Sequence, residues 1–519
     1  MYKTILKQIA SLQIILGGVM LLPCFFAVIY REWYSLAGFL FSGLLASGTG
    51  YLVHRFLRSA GEPEYKHALV ISACGWLMIM VAGALPYVII AYITPYEIMQ
   101  QFVPPGFDYP SSLLNFKNPL HAIFESTSAF TTTGLTMAYH EPSIGKSLLF
   151  YRHLSQWVGG AGFIVMSLAI FRPLPGQGSV LMYGTETAGE KLKTNVIETA
   201  KAIWKVYVLI TVVMIFYLIA GTCFILPEYP LSENIFNAIN HAMAGQSTGG
   251  FSTLDDSIAG YQSAGMDLLH ILPMVLGSFS LPFFFRLIYQ RRLSEFWHDI
   301  QARSILVAML VGSAVLSLLL IHAGIVPAPV REGVFQFVSA LSTTGWQTSN
   351  IAAWDDISIL FIVMSAMVVG GSAGGTVGGI KVIRAVLLQK GLAWQISKVF
   401  LSKNAIKSVK FDGKILLAED MNRELAKAGV FVIIYLIFIF ISTLITLFFM
   451  EGDYSLSDAI FEAASAQGTV GLSTGITDPG MSPVLETTYI IQMWAGRLEI
   501  IPILVLFRVL LKGTKPKII

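Results

Sequence analysis

Four short segments of this 519-residue chain carry residue types suited to holding a bare monovalent cation. They are Thr132-Thr133-Gly134-Leu135-Thr136, Thr248-Gly249-Gly250-Phe251-Ser252, Thr343-Thr344-Gly345-Trp346-Gln347 and Thr469-Val470-Gly471-Leu472-Ser473. Each reads Thr-x-Gly-hydrophobic-polar. Glycine admits backbone angles that other residues resist. Four such turns at one level can aim carbonyl oxygens at a common axis and replace an ion's hydration shell. The threonines offer further hydroxyl or carbonyl oxygens. The motifs hold no nitrogen or sulfur ligands of the kind transition metals favour. A single Thr-x-Gly is an ordinary turn; four copies with matched surroundings point to a pore.

The surroundings do match. Ten residues before the motif glycines stand Phe124, Phe335 and Phe461, with Asn240 in the second copy, and five before stand the small residues Ala129, Gly245, Ala340 and Ala466. The intervening stretches read as helices of about ten residues, roughly 15 Å long. Such a helix reaches half-way through a bilayer. A second glycine follows each motif inside the next apolar span: Gly159, Gly277, Gly370 and Gly496. Each unit therefore reads helix, re-entrant half-helix, glycine turn, helix. Two crossings per unit keep all four units in one orientation around a pseudo-fourfold axis. The half-helix C-termini turn partial negative charge towards that axis.

The rest of the chain must hold these units in a membrane. It is 55% hydrophobic and 13% charged, where a soluble domain carries about 25% charged residues. Spans of roughly 20 apolar residues are expected near 9–30, 34–54, 67–95, 148–171, 200–226, 265–290, 302–324, 357–388, 426–450 and 485–511. The fold class is an all-α polytopic membrane protein with about ten crossings: four helix–re-entrant P-loop–helix repeats around a pseudo-fourfold pore, plus two N-terminal helices. The expected divisions are 1–60 for the extra helices and 61–175, 176–295 and 296–395 for the first three repeats. Residues 396–519 then hold a basic linker and the fourth repeat.

Of the 34 Lys and Arg residues, all but Arg31, Lys117, Lys146, Arg152, Arg331 and Arg497 fall on one side of this plan. That side is expected to be cytoplasmic, with both termini inside. The motifs then open outward, flanked by acidic residues such as Glu233, Asp255, Asp256 and Asp478, which would concentrate cations. No basic domain stands alone, so nucleic acid is a poor partner. Cys24, Cys74 and Cys223 form no CxxC pair and read as packing residues.

With these motifs the chain resembles the Trk/Ktr/HKT superfamily of potassium transporters, most closely its bacterial TrkH-type subunits, over nearly its full length. The resemblance makes Thr132, Thr133, Gly134, Thr248, Gly249, Gly250, Thr343, Thr344, Gly345, Thr469, Val470 and Gly471 the ion-binding filter. Sodium-preferring relatives often carry serine at the first filter glycine, so Gly134 implies potassium. A sodium or mixed cation transporter of the same fold is the alternative. Two departures from fourfold symmetry also match the family and imply a gate. One is the run of Gly370, Gly371, Ser372, Ala373, Gly374, Gly375, Thr376, Val377, Gly378 and Gly379. Its six glycines, at roughly 1 kcal/mol each, should break the eighth span; close helix packing is the alternative. The other is Arg497, a charge within a span, implied to sit just below the filter. Its alternative role is a structural ion pair with Glu125 or Glu462. Arg152 is expected to snorkel to the outer surface.

By resemblance the chain lies in a bacterial cytoplasmic membrane, forms a homodimer, binds a cytosolic nucleotide-binding regulator of TrkA type and carries potassium in the filter with no covalent cofactor. The lysines from Lys398 to Lys414 could face that regulator or anionic lipid. Glu125, Glu462, His121 and His241 near the half-helices raise an intramembrane enzyme as a contrasting class. They are spread over separate repeats, with only His121 and Glu125 sharing one, and lack a matched third member.

Overall fold

The computed structural model describes residues 2–61, 65–162, 196–292, 294–400, 408–411 and 414–513. The second half of the fourth expected span, with Arg172, Lys191 and Lys193, lies outside the described residues, as do Lys403 and Lys407. What is described is helical apart from two short strands. Among the described residues, six helices are long and apolar enough to cross a membrane: Tyr2–Ile29, Trp33–Phe56, His67–Ile93, Lys201–Ile225, Ile300–Ala323 and Ala418–Phe449. Two further pairs qualify only together, because each is sharply bent. The protein is a multi-pass membrane protein.

Between the crossings lie the four half-helices, Pro119–Phe130, Leu231–Gln246, Pro329–Leu341 and Leu456–Gly468. At 12, 16, 13 and 13 residues they are somewhat longer than expected, yet too short for the roughly 30 Å of hydrocarbon. Local chemistry starts them. The Asn118 side chain accepts from Leu120 N–H ahead of a first-turn proline, and Ser455 forms a capping box with Asp458. Their inner turns are almost wholly buried. The second glycine of each unit explains part of this closeness. A side chain on Gly159, Gly277 or Gly496 would strike the half-helix carbonyls of Phe130, Gly245 or Gln467. Glycine there lets the crossing helix lie directly on the half-helix end. Gly370 has another use, packing against Gly378 within its own loop.

Two expectations need correction. The sixth span breaks between Ala264–Ser278 and Leu281–Tyr289, which meet at 96°. The tenth breaks between Pro483–Arg497 and Ile501–Lys512, which meet at 111°. Each second half begins with proline at its first turn, Pro282 or Pro502, a restart signal that apolarity masks. The basic linker holds an antiparallel pair, Val409–Phe411 with Lys414–Leu416. Val409, Phe411 and Leu416 pack there with Leu387, Trp394 and Met421 in a small second core.

Candidate ion-binding site

The four Thr-x-Gly motifs meet in one ring. In each, threonine has positive φ (58°, 52°, 55° and 51° for Thr132, Thr248, Thr343 and Thr469). Residue x does not, and the glycine is positive again (99°, 78°, 82° and 93° for Gly134, Gly250, Gly345 and Gly471). Alternating handedness turns consecutive peptide groups the same way. The N–H groups point back into the half-helix: Thr132 to Ala129 O at 3.1 Å and Thr133 to Ser128 O at 2.9 Å, and Gly134 to Ser128 Oγ at 3.0 Å. The fourth motif repeats this with Ala466 O, Ser465 O and Ser465 Oγ. In the other two, Gly245 and Ala340 carbonyls accept from the threonines, and Ala244 and Ser339 carbonyls accept from Gly249 and Thr344. With the N–H groups turned outward, the carbonyls face inward.

The ring closes in chain order. A Cβ on Gly134 would lie 2.6 Å from Gly249 O. On Gly250, Gly345 and Gly471 it would strike Thr344 O, Val470 O and Thr133 O more closely still. Each glycine thus faces the x carbonyl of the next unit, and the last faces the first. All four glycines also line one cavity of about 550 Å³. Of the expected acidic flank, Asp255 and Asp256 reach that cavity. Glu233 instead pairs with Lys146 at 2.6 Å, and Asp478 accepts from Tyr139 Oη at 3.3 Å. Glu141, which lies outside the four motifs, also lines the cavity. Burial pushes its carboxyl up to about 8, against the pull of Arg152.

Below the ring lies the glycine-rich loop. It separates Ile357–Val369 from Val382–Val399, with positive φ at Gly370, Gly374 and Gly379. Gly371, Ser372 and Gly374 stitch it to neighbours. Val382 N–H donates to Gly371 O at 2.9 Å, Ser372 N–H to Ser278 O at 3.0 Å and Leu281 N–H to Gly374 O at 3.1 Å. The last two satisfy backbone groups freed by the bend in the second repeat, as buried irregular backbone requires. Gly375 packs on Phe279 O. Thr376 and Gly378 meet the filter threonines. Thr376 Oγ1 is 3.1 Å from Thr248 Oγ1, Thr376 O is 3.5 Å from Thr132 Oγ1, and Gly378 N–H donates to Thr343 Oγ1 at 3.3 Å. A side chain on Gly378 would hit Gly468 O and Thr469 Oγ1. One loop therefore lies against the threonine of every unit.

Arg497 sits at the bend of the last repeat. Its guanidinium donates to Thr376 O and to Gly159 O at 2.6 Å and Gly160 O at 3.0 Å, tying the loop to the first repeat. The carboxylates suggested as its partners are engaged elsewhere. Glu462 holds Ser473, Thr474 and Thr477. Glu125 pairs with Arg152 at 2.7 Å, both fully buried. Arg152 therefore does not snorkel; it also lies 4.0 Å over the Phe251 ring. Gln156, another residue the motifs did not flag, donates to Gly249 O and accepts from Phe251 N–H at 3.2 Å. Its side chain fills the space that a Cβ on Gly249 would need, which accounts for glycine at x in the second motif. His121 pairs with Glu486 at 2.9 Å, a carboxylate that was not among the residues raised for an enzyme.

Comparison with known proteins bears on the class. The family model TrkH, described as a cation transport protein, matches residues 106–516. An uncharacterized cation transporter of Methanocaldococcus jannaschii is 30% identical over 512 residues, covering 97% of this chain and 96% of its own. The Trk system potassium uptake protein TrkH of Salmonella typhimurium is 29% identical over 520 residues, with 98% of each chain covered. The crystal structure of the potassium transporter TrkH from Vibrio parahaemolyticus superposes with a TM-score of 0.77 at 23% identity, covering 98% of both chains. The relatives are transporters, not enzymes. The chain belongs to the TrkH family of cation transport proteins.

Proposed function

We propose that the protein translocates potassium ions across a bacterial cytoplasmic membrane through the ring of four filter motifs, gated from below by the 370–379 loop and Arg497. The observation that carries this reading is the closed cycle of Gly134, Gly250, Gly345 and Gly471 on the floor of one cavity that Glu141, Asp255 and Asp256 also line. Inward carbonyls replace hydration water, and Asp255 and Asp256 raise the local cation concentration. Potassium is further favoured by the names of the Salmonella and Vibrio relatives. The loop contacts on all four threonines support a closed lower end, with Arg497 as its latch. A mixed sodium and potassium pathway is the second reading. It draws on the unlike x residues and on the hold of Gln156 on Gly249 O, which lower the symmetry of the ring.

Purified protein in liposomes should pass potassium and rubidium faster than sodium. Equal passage of all three would favour the mixed pathway, and none would end the proposal. The basic face would be cytoplasmic, with both termini inside. There, two copies of the chain would work with a nucleotide-binding regulator, for which the hairpin beside Lys390 and Lys398 is a docking candidate. Full, nucleotide-independent transport by the subunit alone would count against such a partner.

A further inference from the structure

Nine residues before the four filter glycines stand Glu125, His241, Gln336 and Glu462, all fully buried. They differ in type, yet each does the same thing. Each accepts the backbone N–H three residues beyond its glycine. Glu125 accepts from Met137 at 2.8 Å, His241 Nε2 from Thr253 at 3.3 Å and Glu462 from Thr474 at 3.1 Å. Gln336, its carboxamide oriented by its hydrogen bonds, accepts from Thr348 at 2.9 Å. In three units a hydroxyl two residues past the glycine joins in: Thr136, Ser252 or Ser473. The third unit has Gln347 there, and Gln336 takes the Ser349 N–H at 3.3 Å instead.

The imidazole can do this in one tautomer. Nε2 must be bare to accept from Thr253. Nδ1 then carries the proton, facing His270 Nε2 at 3.3 Å and Tyr261 Oη at 3.4 Å. His270 donates its own Nδ1–H to Met266 O at 2.8 Å. A relay of neutral rings thus puts a bare nitrogen where the first and fourth units put a carboxylate.

We propose, on the pore reading above, that these four residues are positioning residues for ion selectivity. Each ties the strand leaving the filter back to its own half-helix and so sets where the glycine carbonyl stands in the ring. The shared requirement is a buried acceptor, not a charge, since a carboxamide serves in the third unit. An N–H left without its acceptor is costly when buried. The strand would shift to find another partner, and the carbonyl would move with it.

The test uses purified protein in liposomes, with potassium, rubidium and sodium flux measured separately. His241→Leu, Gln336→Leu and Glu462→Leu remove the acceptor. His241→Gln and Glu462→Gln keep it. Glu125 is left intact because its loss would also strand Arg152. Each Leu variant should lower the potassium-to-sodium ratio by about tenfold, the order expected for one lost buried hydrogen bond. Both Gln variants should stay within about twofold of the parent. A purely structural role lowers all fluxes together and leaves the ratio alone; that result overturns the proposal, as does loss of the ratio in the Gln variants. If the Leu variants do not fold, the Gln variants decide: a kept ratio after the charge at 462 is removed supports the acceptor role, and a lost one ends it. Parent protein that conducts neither potassium nor rubidium would instead overturn the pore reading, a separate failure.

Discussion

The two ends of the ion-binding region are built on opposite plans. Around the four glycines every unit contributes the same backbone turn, the same contacts from its threonine and residue x N–H groups to its half-helix, and one quarter of a closed ring. Just below, symmetry is gone. The third unit alone supplies the loop, and the fourth alone supplies Arg497, which holds that loop to the first. A binding ring gains from having like ligands on all sides. A gate gains from having one part that can leave, because a single loop moves at the cost of its own contacts only.

The comparison can be broken most severely in the ring. Gly345→Ala places a methyl group onto Val470 O at a φ of 82°, where backbone must yield. It should reduce rubidium flux about a hundredfold or more, in keeping with a loss of at least 2.7 kcal/mol in the pathway. Gly429→Ala, with nothing within 4 Å of the added carbon, should leave flux unchanged in the same assay. Next comes Gly134→Ser, whose added carbon lies 2.6 Å from Gly249 O at a φ of 99°, farther off than the nearest atom at Gly345. This looser contact should preserve conduction while lowering potassium preference over sodium about tenfold, read as a ratio of initial rates.

Changes below the ring should act with the opposite sign. Arg497→Gln removes a charged donor shared among three carbonyls, each such bond worth about 1.5–3 kcal/mol. The loop should release more often, raising flux several-fold without altering the ion ratio; unchanged or lower flux would sink the latch. The smallest effect belongs to the cavity wall. Glu141 has its carboxyl raised to about 8, so it gains its charge as pH rises through that value. Uptake from dilute potassium should climb about twofold between pH 7 and 9, and Glu141→Gln should flatten that rise. A climb that persists in the variant assigns it to another group.

Much of this was legible in the chain because it repeats. Four motifs, their small upstream residues and their downstream glycines share offsets that can be counted, and they led to the half-helices. The broken eighth span was legible from its six glycines. The bends at Phe279 and Glu499 were not, because Pro282 and Pro502 lie inside apolar runs that read as single spans. Nor was the fate of the charges. Arg152 and Arg497 both stand in apolar surroundings, yet one is sealed against Glu125 and the other reaches backbone carbonyls in two other units.

What the amino-acid order determined by itself is therefore what has a period or a length: membrane spans, half-helices, the number of units and the glycines that turn them. Those depend on local backbone preference and on hydrophobic runs, which neighbours in the chain can specify alone. The tertiary structure decided the pairings: which unit's glycine faces which carbonyl, that one loop lies under all four threonines, and which acceptor holds each filter strand. Such contacts join residues hundreds of positions apart; Arg497 and Gly159 are separated by 338. They depend on donor and acceptor meeting in space, and a carboxylate, an imidazole and a carboxamide can fill the same place without resembling one another in sequence.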